Sequence, residues 1–145
     1  MFTTLLRNIA FASLIALSAH TAHAGEQLAD NRIKLVMTAA ERAEFLAEMR
    51  KMLGSVQAIM QGIGDANREQ IAAAARLSGN TMARATPDKL RNSMPPAFKE
   101  MGGPTHMMFE ELAIRAETDE MDMLARDTGK LMQQCMACHE TYRVH

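Results

Sequence analysis

From Leu46 onward the chain places apolar residues at steps of three and four: Leu46, Met49, Leu53, Val56, Met60 and Ile63. Residues spaced in this way stack along one side of a helix, whereas a strand repeats every second residue. The stretch therefore predicts a long helix with a continuous apolar seam. It has a start signal in Thr38 and Glu41, which stand at capping-box spacing, and a stop at the Gly62 to Gly64 break. The rest of the composition agrees with helix. Ala, Met, Leu, Glu, Arg and Gln dominate, β-branched residues are too sparse for sheets, and beyond residue 24 the aromatic residues are Phe45, Phe98, Phe109 and Tyr142.

Three further helical segments follow. The second runs from about Asn67 to Ala85, with a weaker seam of Ile71, Ala75, Ser78 and Met82. All four prolines then fall between Pro87 and Pro104, which predicts a connection of roughly 18 residues, long for a helix bundle. A third, shorter helix starts near Thr105, with His106, Phe109, Leu112 and Ala116 on one side. The fourth spans roughly Asp119 to Arg143, with a seam of Met121, Leu124, Thr128, Leu131, Cys135, Cys138 and Tyr142. "ETDEMD", from Glu117 to Asp122, is a solvated turn before it. No internal repeat or low-complexity segment competes, and four such helices predict an all-α, antiparallel four-helix bundle.

The first 24 residues stand apart. One Arg precedes an apolar run from Ile9 to Ala19, and Ala22-His23-Ala24 forms a small-x-small cleavage signal, so residues 1–24 are expected to be a secretory signal peptide. The run is about 11 residues, short of the roughly 20 a membrane span needs, and no later stretch is apolar enough. One Arg and no acid leave with the signal, so the remaining domain, 25–145, has 121 residues and a net charge of −2 in place of −1. That balance offers no basic footprint for nucleic acid.

The chemistry sits at the other terminus, in "CMACH", Cys135 to His139. These are the two cysteines of the chain, three apart, with a histidine directly after. A structural zinc site needs four ligands, and beyond the signal only His106, His139 and His145 could join the pair. A thioredoxin-like redox pair belongs at a helix N-terminus in a βαβ setting, whereas this pair lies in the last turns of a helix in an all-helical chain. A disulfide across three residues of helix would be strained and would stabilise little. C-x-x-C-H as an attachment point for haem c, one per chain, fits an exported protein. Residues i and i+3 share a helix face, so both sulfurs can form thioethers with the vinyl groups of one porphyrin, and His139 can turn over the ring to bind the iron.

An exported all-helical chain with "CMACHETYR" at its C-terminus resembles the class II c-type cytochromes, that is, cytochrome c-prime and its low-spin relatives. The resemblance implies a periplasmic, up-down-up-down four-helix bundle with one covalent haem, often a homodimer, in which Cys135 and Cys138 hold the haem and His139 is the proximal ligand. It also implies that Arg143 lies beside that ligand. The segment "LGSVQAIMQG" resembles the family's glycine-bracketed first helix, which would set Leu46 at the distal position and Arg42 where a propionate is approached. A Met at the distal position gives a low-spin iron in this family, and an apolar residue leaves the iron five-coordinate. Met49, one turn past Leu46 and about 15 Å along the first helix by its rise per residue, is expected as the sixth ligand. His106, at the start of the third helix, is the alternative.

Each candidate has a plainer role. Met49 is one of 13 methionines beyond the initiator, and a Met on a seam is commonly core filler. His106 can serve as a cap or meet a propionate. The expected function is a periplasmic single-electron carrier working with redox partner proteins. A five-coordinate binder of a small gas such as nitric oxide is the alternative, and an enzymatic, peroxidase-like role would have only His106 as a distal acid-base group.

Overall fold

A computed structural model of the chain describes residues 29–144. The expected signal peptide and His145 lie outside the described residues. All elements belong to the unit Asn31–His145. In order they are β1 (Ile33–Leu35), α1 (Ala39–Gly64), α2 (Arg68–Ser78), α3 (Asn80–Ala85), α4 (Asp88–Ser93), α5 (Pro96–Arg115), α6 (Met121–Thr141) and β2 (Tyr142–Val144). The unit is mostly helical. α1 packs on α2, α2 on α5, α5 on α6, and α6 back on α1.

α1 begins as its sequence dictates. Thr38 Oγ1 accepts from the Glu41 N–H at 3.2 Å, and the Glu41 carboxylate accepts from the Thr38 N–H at 2.9 Å, so two amides of the first turn are satisfied reciprocally. The turn after α1 depends on a small residue: a Cβ on Gly62 would meet Ile71 Cγ1 at 2.8 Å, and the Asn67 N–H donates to the Gly62 carbonyl at 2.7 Å. Arg68 at the start of α2 donates to the carbonyls of Ala116 and Asp119, at 2.9 and 2.6 Å, and so holds the turn between α5 and α6. That turn contains the first residues of "ETDEMD", and Asp119 in it pairs with Arg115 at 2.6 Å.

Four expectations need correction. The α1 seam is turned: Leu53 is 69% and Met60 45% exposed, while Met52, Ser55, Val56, Ile59 and Gly62 are buried. Apolar residues occupy adjacent strips of this helix, so steps of three and four admit more than one register, and the register is decided by packing. In particular, Ser55 is drawn inward because its hydroxyl accepts from the Ser78 hydroxyl at 2.8 Å. The expected second helix is interrupted at Gly79, where the carboxylate of Glu110 fills the space a Cβ would need. The expected 18-residue connection is instead helical over most of its length. Pro87 is the N-cap of α4, and Pro95 and Pro96 open α5, because a proline's fixed φ suits the first turn of a helix, while Pro104 is carried inside α5 without an N–H to donate to the preceding turn. His106 consequently lies mid-helix in α5. Finally, the fourth helix ends at Thr141, and Tyr142–Val144 pair in parallel with Ile33–Leu35. These short strands are the departure from all-α.

Two apolar clusters result. The first joins Met52, Val56 and Ile59 of α1, Ile71 and Ala75 of α2, Phe109, Leu112 and Ala113 of α5, and Leu124 and Leu131 of α6. The second joins Leu35, Leu90, Met94 and Tyr142, with Phe45, Phe98, Met101 and Cys138 packed against them. Three of the four aromatic residues among the described residues meet there: the Phe45 and Phe98 rings lie 5.9 Å apart, and Phe98 meets Tyr142 edge-on at 5.3 Å.

Candidate functional site

Three helices pass from the first cluster to the second. α6 contributes Leu131 to the first and Cys138 to the second, α5 contributes Phe109 to the first and Phe98 and Met101 to the second, and α1 contributes Met52 to the first and Phe45 to the second. Between the clusters lies a layer of half-buried side chains: Leu46, Glu48 and Met49 from α1, His106 from α5, and Cys135 from α6. The sequence placed the cysteine pair and its candidate ligands on three separate segments. The fold brings those segments to this layer. Met49 borders it by packing against the first cluster.

The burial of the three helices changes at the same layer. α1 buries no side chain before Met52, α5 none before Thr105, and α6 none after Leu131. Residues 132–141, which carry the motif, thus follow a well-packed half-helix but are not packed that way themselves.

Both cysteines are free thiols and half-buried. Burial pushes each thiol above its ordinary pKa, and the neighbouring Cys135 pushes Cys138 further in the same direction. Burial thus favours the thiol over the thiolate at both positions. Cys135 Sγ donates weakly to the Leu131 carbonyl at 3.6 Å, as i to i−4 on one helix face. The His139 ring is exposed, and its backbone is held: Arg32 Nη1 donates to the His139 carbonyl at 3.1 Å, and the Tyr142 N–H closes the helix on the Cys138 carbonyl. Among the described residues no group of three His, Cys, Asp or Glu side chains converges to hold a bare metal ion.

The donor set fits a haem. Two free sulfurs lie on adjoining turns, an imidazole follows directly and is free to turn, and apolar and aromatic groups from three helices surround the layer. Cys135, Cys138 and His139 would hold the group, and Leu46, Met49 and His106 are half-buried on α1 and α5, between the stretches of those helices that enter the two clusters. Of the other expected residues, Arg42 is exposed on the first turn of α1, and Arg143 is half-buried in β2 opposite Lys34.

Two features escaped the sequence reading. His106 Nδ1 lies 2.7 Å from the Ser78 carbonyl; an acceptor on the backbone leaves no trace in the sequence. Glu48 is half-buried beside it, and burial pushes its carboxyl above the ordinary range against the pull of His106 and Lys51. The aromatic lining was more accessible, since Phe45, Phe98 and Tyr142 are three of only four aromatic residues beyond residue 24.

A second polar site ties α5 to α6. Asp127, 8% exposed, accepts from Lys130 Nζ at 2.8 Å and pairs with Arg115 Nη1 at 2.5 Å. The Lys130 hydrogen bond is the main cause holding the Asp127 carboxyl below its usual range, with the Arg115 charge adding to it against burial. A cavity of about 160 Å3 lies against these residues, Met108 and Leu112, apart from the motif.

Among known proteins, no family model matches the chain, and neither a curated protein nor a solved structure matches it.

Proposed function

We propose that the chain is an exported mono-haem c-type cytochrome, built on an antiparallel up-down-up-down four-helix bundle, that carries single electrons between redox partner proteins in the periplasm. The observation that carries this reading is the pair of free, half-buried thiols of Cys135 and Cys138, at i and i+3 on α6, Cys135 beyond the first apolar cluster and Cys138 packed against the second, directly before His139. Haem iron supplies a one-electron couple when bound.

The chain's own contribution is then binding and exclusion of water. Cys135 and Cys138 fix the group by two bonds, so it is not lost on reduction or oxidation. His139, its backbone tied down by Arg32, would offer an imidazole nitrogen to the iron. The aromatic cluster and the half-buried residues of α1 and α5 lower the local dielectric, which helps set the potential. The gas-binding alternative draws on Leu46, an apolar half-buried residue of α1.

The test is expression in a periplasm with a haem-maturation system. The protein should then carry one haem that survives denaturation and acid-acetone extraction. Cys135→Ala or Cys138→Ala should each leave one thioether, seen as a red-shifted pyridine haemochrome band. Haem that washes out of the wild-type protein would remove the basis of the proposal.

A further inference from the structure

His106 lies in the layer between the two clusters, on a helix that packs against α6. Its ring is already oriented. A carbonyl oxygen can only accept, so the 2.7 Å contact with the Ser78 carbonyl puts the proton on Nδ1 and leaves the lone pair on Nε2, which bonds to no described residue. The carbonyl belongs to a firm junction: Ser78 is fully buried and its hydroxyl is bonded to Ser55, while, two residues on, the Asn80 N–H donates to the Glu110 carboxylate at 3.1 Å. A histidine that donates Nδ1–H to a backbone carbonyl and presents Nε2 is arranged as metal-bound histidines are, because the outer hydrogen bond fixes the tautomer and the ring direction and raises the basicity of the ligating nitrogen. Met49, by contrast, packs against the first cluster, where a thioether serves as filler.

We propose that His106 Nε2 is the second axial ligand of the iron, that the Ser78 carbonyl positions it, and that coordination is therefore bis-histidine with His139. This deepens the proposed function and rests on it. It makes the site a closed electron carrier with no position open to a gas, and its potential lower than a histidine-methionine pair would give, since a thioether favours ferrous iron and a second imidazole does so less. The competing account is that the His106 to Ser78 bond only ties α5 to α2.

The experiment compares the spectra of the haem-loaded wild type, His106→Ala and Met49→Ala. The wild type should be low-spin in both oxidation states, lack the methionine-to-iron charge-transfer band, and leave carbon monoxide unbound on mixing. His106→Ala should become high-spin and bind carbon monoxide at once, and added imidazole should restore the low-spin spectrum, a rescue that a purely structural role would not produce. Met49→Ala should keep the wild-type spectrum. Covalent haem with a spectrum unchanged by His106→Ala, a charge-transfer band lost in Met49→Ala, or a high-spin wild type would each overturn the assignment while leaving the haem reading intact. Absence of covalent haem would overturn both. Should His106→Ala fail to fold, proton NMR of the ferrous wild type decides: two iron-bound imidazoles with strongly upfield ring protons are expected, and a single one contradicts the proposal.

Discussion

The two halves of the long helices are built on different terms. Residues 52–63 of α1, 105–115 of α5 and 121–131 of α6 interlock around Ile59, Phe109, Leu124 and Leu131, all fully buried, and need nothing beyond the chain to do so. Residues 39–51, 96–104 and 132–141 of the same helices bury no side chain fully and are joined instead through an aromatic cluster and a short parallel ribbon. One half is a core by itself. The other half is the one that carries both cysteines, and its layer of half-buried residues gains most from an apolar group placed among them.

The sharpest way to break this comparison is the same truncation in each half of the haem-free chain. Leu131→Ala should cost about 2 to 5 kcal/mol, because a fully buried leucine leaves a cavity that its neighbours fill only in part. Leu46→Ala, at a half-buried position, should cost less than about 1 kcal/mol. Urea unfolding of the two variants reads the difference, and equal losses would mean that the halves are packed alike.

The next effect is electrostatic and belongs to the packed half. Asp127→Asn should cost about 1 to 2 kcal/mol at neutral pH, a modest sum because Lys130 is largely exposed and its bond is screened. Since the folded state lowers the Asp127 pKa, the carboxylate's contribution is present above the unfolded pKa and is lost as pH falls through the folded one. Thermal melts of wild type and variant should therefore converge in acid; a constant gap would show that packing, not charge, is at stake.

In the layer itself the sign reverses. Burial raises the Glu48 pKa, so the folded state binds its proton more readily than the unfolded state does, and ionisation at neutral pH counts against folding. Glu48→Gln should be slightly more stable than wild type near neutrality, with the gain vanishing below the ordinary carboxylate range. A melting temperature that falls in the variant at neutral pH would contradict this account of the layer.

The sequence was legible where one residue acts on its near neighbours. Thr38 and Glu41 announced the start of α1, Gly62 to Gly64 its end, and the i, i+3 spacing of Cys135 and Cys138 their shared helix face. It was less legible where distant segments decide. Leu53 and Met60 obey the helical period as well as Met52 and Ile59 do, and only the helices packed on α1, α2 and α6, choose between the two strips. The prolines announced a break but not that they would open helices, and strands of three residues, Ile33–Leu35 and Tyr142–Val144, are too short to show a period. The ring direction of His106 depends on a backbone carbonyl 28 residues away.

The central claim, that the layer between the clusters receives a haem held by Cys135 and Cys138, is tested most directly by residue-level hydrogen exchange on the haem-loaded wild type and on the haem-free Cys135→Ala/Cys138→Ala variant. The account predicts that the haem slows exchange strongly at residues 45–49, 101–106 and 132–139, and changes it little at 56–62, 109–115 and 124–131. Protection gained evenly along all three helices, or gained in the packed half alone, would contradict it.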